Sequence, residues 1–226
     1  MKRPLDACLA ALALVCLSPV MGATALLVRA KLGSPVVFSQ ERPGRIDPET
    51  GEERIFKLHK FRTMTDARDA EGNLLPDDER LTPFGRALRS TSLDELPELW
   101  NILKGDMAVV GPRPLAKEYL PYYTETEARR HEVRPGLTGL AQVMGRNSVD
   151  WARRFGYDVD YVDRVSFLGD MRIVAKTVSV VVSREGIGQG EARPTSFHEV
   201  RQREIELRRQ REESQGAARR DEVAGR

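Results

Sequence analysis

The stretch Arg89-Ser90-Thr91-Ser92-Leu93-Asp94-Glu95-Leu96-Pro97-Glu98-Leu99-Trp100-Asn101-Ile102-Leu103-Lys104-Gly105-Asp106, continued by Met107 to Val110 and closed by Gly111-Pro112-Arg113-Pro114, decides how this chain is read. Leu93, Leu96, Leu99, Trp100 and Leu103 recur at helical spacing, which predicts a helix with one buried face and sets Asp94 and Glu95 at its beginning. Two starts suit these residues. Either Ser92 is the N-cap and Glu95 closes a capping box, or Asp94 is the N-cap and Pro97 falls in the first turn, where its missing N–H is not needed. Capping alone is one account of Asp94. Its company argues for another: Arg89 precedes the pair, and Arg113 follows it, held between two prolines on a stiff backbone.

Working outward, Thr82-Pro83 opens a short helix, with threonine as N-cap and proline at the first helical position, and this helix delivers Arg89 to the carboxylates. Gly105 ends the central helix, and Met107 to Val110 makes a brief strand. Upstream, Pro35 to Phe38 is a short β-prone run followed by a turn at Arg42-Pro43-Gly44, and Ile55 to Met64 is a second strand. Alternation along it puts Lys60 and Arg62 on one face with Phe56 and Leu58, and His59 with Phe61 on the other. Two neighbouring cations suit a phosphate clamp; a solvated edge strand is the plain alternative. Thr65 to Arg80 is polar and reads as a surface loop.

Downstream, Tyr119, Leu120, Tyr122 and Tyr123 around Pro121 form an aromatic group suited to a core or to the lipid headgroup level. Thr124 to Glu127 opens another helix, ended near Arg134-Pro135-Gly136. Leu137 to Met144 reads as a strand leading to Gly145-Arg146-Asn147, where glycine permits close backbone approach and Arg146 can meet a phosphate. Helices follow over 151–155, 157–165 and 167–184. Beyond Gly190 the sequence is rich in Arg and Glu and poor in large apolar residues, and so predicts a charged tail over 191–226, mobile or helical, that buries little surface.

The N-terminal stretch from Leu5 to Val28 is apolar apart from Asp6 and small polar residues, and as an unbroken helix would reach about 36 Å, enough to cross a bilayer. A cleaved signal peptide, a spanning helix and a re-entrant hairpin are all compatible with it. Ser18-Pro19 sits at its middle, where proline frees a carbonyl that Ser18 can bond. Lys2 and Arg3 before it, with Arg29 and Lys31 after it, draw both ends to the same side and favour the hairpin.

The total of 226 residues supports one sizeable core with appendages. Against 36 Lys and Arg stand 34 Asp and Glu, so the net charge of +2 gives no field for nonspecific nucleic-acid binding. Cys8 and Cys16 would be separated by roughly 12 Å along a helix, too far for a disulfide.

Read together, Ser34 to Phe38, Gln40-Glu41-Arg42-Pro43-Gly44, Lys60-Phe61-Arg62-Thr63-Met64, Ser92-Leu93-Asp94-Glu95-Leu96-Pro97, Gly105-Asp106-Met107, Gly111-Pro112-Arg113-Pro114-Leu115, Arg134 to Val143 and Gly145-Arg146-Asn147 resemble, in this order, the bacterial sugar transferases. These are monotopic phosphoglycosyl transferases, and the chain resembles their minimal form. The resemblance implies a mixed α/β, mostly helical fold with short strands: a re-entrant membrane helix over 1–32, a small cytoplasmic catalytic domain with interfacial helices over 33–190, and the tail.

It further implies transfer of a sugar-1-phosphate from a UDP-sugar to polyprenyl phosphate, with UMP released, on the cytoplasmic face of the bacterial inner membrane. In that reading Asp94 is the nucleophile, Glu95 its partner, and both attend a required Mg2+. Lys60, Arg62, Arg89, Arg113, Gln142 and Arg146 are the candidate substrate-binding residues. Partners would be the donor, the lipid acceptor and the membrane, without nucleic acid, and a homodimer is compatible with the sequence. A membrane-anchored Mg-dependent phosphohydrolase, which would finish with water, is the alternative of a different class. A non-catalytic module that recruits other glycan enzymes is a third.

Overall fold

The computed structural model of the protein describes residues 2–144, 150–183, 196–207 and 210. Its fold is mixed α/β, mostly helical with short strands. Helix α1 spans Lys2–Leu32 and runs through Pro19 without interruption, so the chain does not turn back within it as the expected hairpin would, because Ser18 takes up the carbonyl that Pro19 frees. The carbonyl that Pro19 leaves without its helical donor is that of Val15, and Ser18 Oγ donates to it at 2.8 Å, as the sequence predicts.

One stripe of α1 faces the rest of the protein along its whole length. Asp6, Ala10, Thr24 and Val28 are buried on it, and Leu14, Leu17, Met21 and Leu32 pack beside them. The opposite face carries Leu9, Leu12, Val15, Leu26 and Leu27 in the open. An apolar helix that is covered on one side only has a lipid-compatible surface left over. Both ends are tied down. Lys2 Nζ donates to Val110 O at 2.8 Å and pairs with Asp170 at 2.7 Å, and Arg3 caps the end of the central helix through Ile102 O and Leu103 O at 2.7 and 2.6 Å. At the far end, Arg62 donates to the Leu32 and Ser34 carbonyls.

Strands β1 (Val37–Ile46) and β2 (Glu53–Phe61) form an antiparallel hairpin with Phe38 opposite Lys60 and Gln40 opposite Leu58. β1 is longer than predicted: Arg42-Pro43-Gly44 does not turn the chain but lies inside the strand, where the register slips between Pro43 and Ile46. A proline on a two-stranded edge removes a donor that the ladder does not require, so the strand continues as a bulge. The loop after β2 contains a single short helix, α2 (Asp77–Arg80), and α3 (Pro83–Ser90) begins as predicted, with Thr82 Oγ1 accepting from Gly85 N at 3.0 Å.

The decisive stretch differs from expectation. Instead of one helix there is a 3-10 turn over Leu93–Glu95, and α4 begins only at Glu98 and runs to Lys104, with Pro97 at its N-cap. Neither predicted cap forms. Ser92 takes left-handed backbone angles (φ 56, ψ 16) in place of the extended ones of a capping serine, and its side chain makes no capping hydrogen bond, so no capping box with Glu95 is closed. Gly105 ends α4 at φ 100, as expected of a C-terminal glycine.

β3 (Ala108–Val110) then pairs in parallel with β4 (Gly136–Thr138). Between them lie a 3-10 turn (Lys117–Tyr122), α5 (Glu125–Ala128) with a complete Thr124/Glu127 capping box, and a further 3-10 turn (Arg129–Glu132). The strand predicted over 137–144 is corrected: β4 stops at Thr138, and α6 covers Leu140–Met144. Close backbone packing explains both the glycines and the brevity. A Cβ on Gly136 would lie 2.1 Å from Gly111 N, and one on Gly139 2.2 Å from Gly111 O, so β4 must leave the sheet as soon as it has passed Gly111.

Helices α7 (Trp151–Asp163) and α8 (Phe167–Ser183) complete the core; the break predicted within α7 is absent. Tyr119, Tyr123, Trp151 and Phe155 gather into an aromatic cluster that also receives Phe197, which is 1% exposed. Of the tail expected over 191–226 the structure describes residues 196–207 and 210; 197–207 are helical and mostly exposed, and Phe197 and the Arg201–Glu127 pair at 2.6 Å fasten their beginning to the domain.

Candidate active site

The 3-10 turn presents Asp94 and Glu95 toward β2 and the loop after β3. Asp94 is buried, and among the described residues none hydrogen-bonds or pairs with its carboxylate. Burial and then the neighbouring Glu95 charge push its carboxyl above the ordinary aspartate value, while Lys60, Arg89 and Arg113 pull the other way. It is a partly desolvated carboxylate in a field of three cations, with its oxygens uncommitted.

Glu95 is its opposite. Oε1 accepts from Lys60 Nζ at 2.7 Å and from Arg113 Nη2 at 2.5 Å. Burial pushes this carboxyl up, but Arg113 and Lys60 outweigh it and hold the group down at about 2. Arg113 is raised in turn, chiefly by Glu95. Its backbone is fixed by the Pro112 and Pro114 rings and by Arg130, whose Nη2 donates to Arg113 O at 2.7 Å while its guanidinium pairs with buried Asp158 at 2.9 Å.

Glu98, on the first turn of α4, is the residue that sequence reasoning missed. It is 2% exposed, stands 3.0 Å from Lys60 Nζ, and is pushed up to about 7, first by burial and further by Glu95, against the pull of Lys60. The signal was present: Glu98 follows Asp94 by four residues and Glu95 by three, so all three carboxylates share one side of the turn and helix.

The predicted cations fall into two groups. Lys60 and Arg113 meet at Glu95, and Arg89 lies close enough to act on Asp94 while its Nε donates to Thr63 Oγ1 at 3.0 Å. Arg62 is not beside Lys60 in a clamp. β2 ends at Phe61, and the buried Arg62 side chain turns to Asp66 at 2.9 Å and to the end of α1. Gln142 lies on α6 and donates to Leu137 O at 3.2 Å, away from the carboxylates' direct partners. Arg146 lies outside the described residues.

Arg42, quoted within a motif but given no role from sequence, is lowered by burial and then by nearby Arg113, and its Nε is buried without a partner. Such an orphaned donor, near enough to Arg113 to feel its charge, is suited to an anion.

An Mg2+ ion, expected from the resemblance, would find Asp94 with free oxygens and Glu95 Oε1 committed to Lys60 and Arg113. Among the described residues no group of three or more His, Cys, Asp or Glu side chains is arranged to hold a metal. The donor set, Asp94 with both oxygens free and Glu95 with Oε1 engaged, would fit an ion that keeps much of its water.

Comparison with known proteins identifies the family. The family model for bacterial sugar transferases matches residues 1–184. An uncharacterised sugar transferase of Bacillus subtilis, EpsL, is 52% identical over 189 residues, covering 84% of this chain and 91% of its own. A UDP-glucose:undecaprenyl-phosphate glucose-1-phosphate transferase of Caulobacter vibrioides is 37% identical over 194 residues, 81% of this chain and 70% of its own. The undecaprenyl-phosphate galactose phosphotransferase of Salmonella typhimurium is 35% identical over 203 residues, 82% of this chain and 41% of its own. None of these names describes a hydrolase. With the motifs, the fold and these matches in agreement, the chain belongs to the bacterial sugar transferase family.

Proposed function

We propose that the protein transfers a sugar-1-phosphate from a UDP-sugar to polyprenyl phosphate, releasing UMP, through a covalent intermediate on Asp94. The observation that carries the reading is the contrast between adjacent carboxylates: Glu95 is locked to Lys60 and Arg113, whereas buried Asp94 has no hydrogen-bond partner among the described residues. A carboxylate held by two cations makes a poor nucleophile. One that burial has partly stripped of water, and that sits beside a second negative charge, is a better one, and bond formation relieves its excess charge.

In the first step an Asp94 carboxylate oxygen attacks the sugar-bearing phosphorus. The bond from that phosphorus to the oxygen bridging toward UMP breaks, and UMP leaves with the electron pair. In the second, a phosphate oxygen of polyprenyl phosphate attacks the acyl phosphate, and Asp94 departs as carboxylate. The acceptor is largely dianionic at neutral pH, because the second pKa of a phosphate monoester is near 6, so no strong base is required. Splitting the transfer keeps the two anionic substrates from having to meet.

Glu95 acts by position: it holds Lys60 and Arg113 at the edge of the turn, where their remaining N–H groups can take diphosphate oxygens. Arg89 supports Asp94 electrostatically, and Arg42 offers its orphaned Nε to a phosphate. Bound Mg2+ would supply charge neutralisation across the diphosphate, with Asp94 as its protein contact.

Membrane topology is part of the proposal. Both ends of α1 are fastened to one folded body, which supports a helix that enters and leaves from the cytoplasmic side and sinks its uncovered apolar face into one leaflet. An acceptor whose tail stays in lipid would meet Asp94 at that surface.

Protein quenched after exposure to donor alone should gain the mass of one sugar-phosphate, and Asp94→Asn should gain none and lose transfer while remaining folded in the membrane. Turnover without any such adduct would overturn the covalent reading.

A further inference from the structure

Beneath the N-terminal end of α1 is a cavity of about 250 Å³, lined by Lys2, Arg45, Ala108, Glu132, Val133, Arg134, Tyr161 and Val165. None of the groups around Asp94 takes part: Lys60, Arg89, Glu95, Glu98 and Arg113 all lie elsewhere. Three cations and one carboxylate share its wall. Lys2 is satisfied by Val110, Tyr161 and Asp170, but neither Arg45 nor Arg134 has a hydrogen-bond or ion-pair partner among the described residues.

Their setting is electrostatically unfavourable as it stands. Burial and then the like charges of Arg3 and Arg45 push Arg134 below the ordinary arginine value, with Asp6 alone opposing them. Glu132 does not relieve this, because it is exposed and engaged by Arg129 at 3.1 Å. Arg45 and Arg134 are brought together with Asp6 as the one acid acting on Arg134 and no side-chain hydrogen bond or ion pair of their own among the described residues; a phosphate group, which accepts several N–H bonds at once, suits two such guanidinium groups.

The rim identifies the carrier. Val165 forms part of the wall, and Phe167, Leu168 and Met171 follow it with their side chains exposed; on the other flank Leu5 and Leu9 of α1 are open one and two turns beyond Lys2. A basic hollow bordered on two sides by exposed apolar side chains has the chemistry of an anionic lipid, whose headgroup suits the cations and whose acyl chains suit the rim.

We propose that this cavity is a binding site for the phosphate group of an anionic membrane lipid, held by Arg45 and Arg134 and separate from the carboxylate centre. The lipid would lock the start of α1 to the α7–α8 corner. This goes beyond the transfer reaction and stands independently of it, because the test reads bound lipid and not turnover.

The full-length protein, carried from nanodiscs of mixed phosphatidylcholine and phosphatidylglycerol into native mass spectrometry, should retain phosphatidylglycerol in preference to phosphatidylcholine. Charge removal in Arg45→Gln should weaken retention about fivefold, and the Arg45→Gln/Arg134→Gln pair about thirtyfold. Arg45 is exposed and its side chain makes no hydrogen bond among the described residues, so the single variant tests the site without threatening the fold. Equal retention by wild type and Arg45→Gln would overturn the proposal. So would displacement of the lipid by inorganic phosphate at equal concentration, since the cavity would then be a site for soluble phosphate and the acyl chains would contribute nothing.

Discussion

Lys60 Nζ lies 3.0 Å from Oε1 of Glu98, a carboxyl that is almost wholly buried, and the same ammonium serves Glu95 at 2.7 Å. One cation therefore faces two acids, and they divide it unequally: Glu95, which also has Arg113, is held at about 2, and Glu98 is left at about 7. The pair gives the site opposite responses to acid and base.

Glu98 in the unfolded chain would lose its proton near the ordinary 4.5, but in the folded protein only near 7. Between those values the folded state holds more protons, so this group makes stability fall as pH rises through the window and leaves it level above. Glu95 works in the other direction, its contribution complete above about 4.5 and lost as pH falls toward 2. Glu98→Gln should therefore raise the thermal midpoint by a few degrees at pH 8 and change it little at pH 5, as followed by tryptophan fluorescence in detergent. Equal shifts at both values would show that Glu98 is already ionised at pH 5.

Removing Arg113 should cost both fold and rate. Arg113→Met leaves Glu95 with Lys60 alone and strips one N–H donor from the diphosphate side, and we expect about 1–3 kcal/mol of stability to be lost and kcat/KM to fall about 10²–10³-fold. Arg113→Lys should recover much of the stability and little of the rate, because an ammonium cannot reproduce a fixed fork. Steady-state kinetics beside thermal unfolding separates the two effects.

Ser92 is the single non-glycine residue with positive φ among those described, two positions before Asp94, the nucleophile of the proposed reaction. Ser92→Val should destabilise by about 1–2 kcal/mol, since a β-branched side chain is least tolerant of that conformation, whereas Ser92→Gly should fold at least as well as wild type. If Ser92→Gly nonetheless slows adduct formation, the held backbone angle aims Asp94; denaturation curves and single-turnover mass spectrometry read the two quantities.

Phe197→Ala should cost about 3–5 kcal/mol by opening a void among Tyr119, Tyr123, Trp151 and Phe155. Limited proteolysis should then cut 196–207 much faster than in wild type. Unchanged proteolysis would mean that the Arg201–Glu127 pair, not the ring, fastens the segment.

Much of this was legible in the sequence where a local rule acts alone. The Thr82 cap, the Gly105 terminus and the Ser18 bond across Pro19 all depend on residues within one turn of each other, and each formed as expected. Errors appeared where a distant contact decided the outcome. The run after Gly136 has strand-forming residues, but Gly111 approaches from another part of the chain and ends β4 after three residues. Arg62 has the right phase to join Lys60, yet the free carbonyls at the end of α1 claim it. Phe197 is a lone aromatic in a charged stretch, and only the assembled cluster reveals its use. At the active site the sequence named Asp94, Glu95, Lys60 and Arg113, but it read the acids as a pair, because the burial that makes Glu98 the third comes from packing against β2.

The stripe along α1 also governs how the protein can be handled. Phe56, Leu58, Leu99, Ile102 and Met107 are covered on one side by Ala10, Leu14 and Leu17, and Phe61 and Leu88 by Val28. Cutting away residues 2–32 to obtain a soluble enzyme would therefore uncover two hydrophobic clusters at once and withdraw the lysine and arginine that close β3 and α4. The apolar helix proposed to meet the lipid is also a wall of the folded body, so a truncated version would be expected to aggregate before it could be assayed.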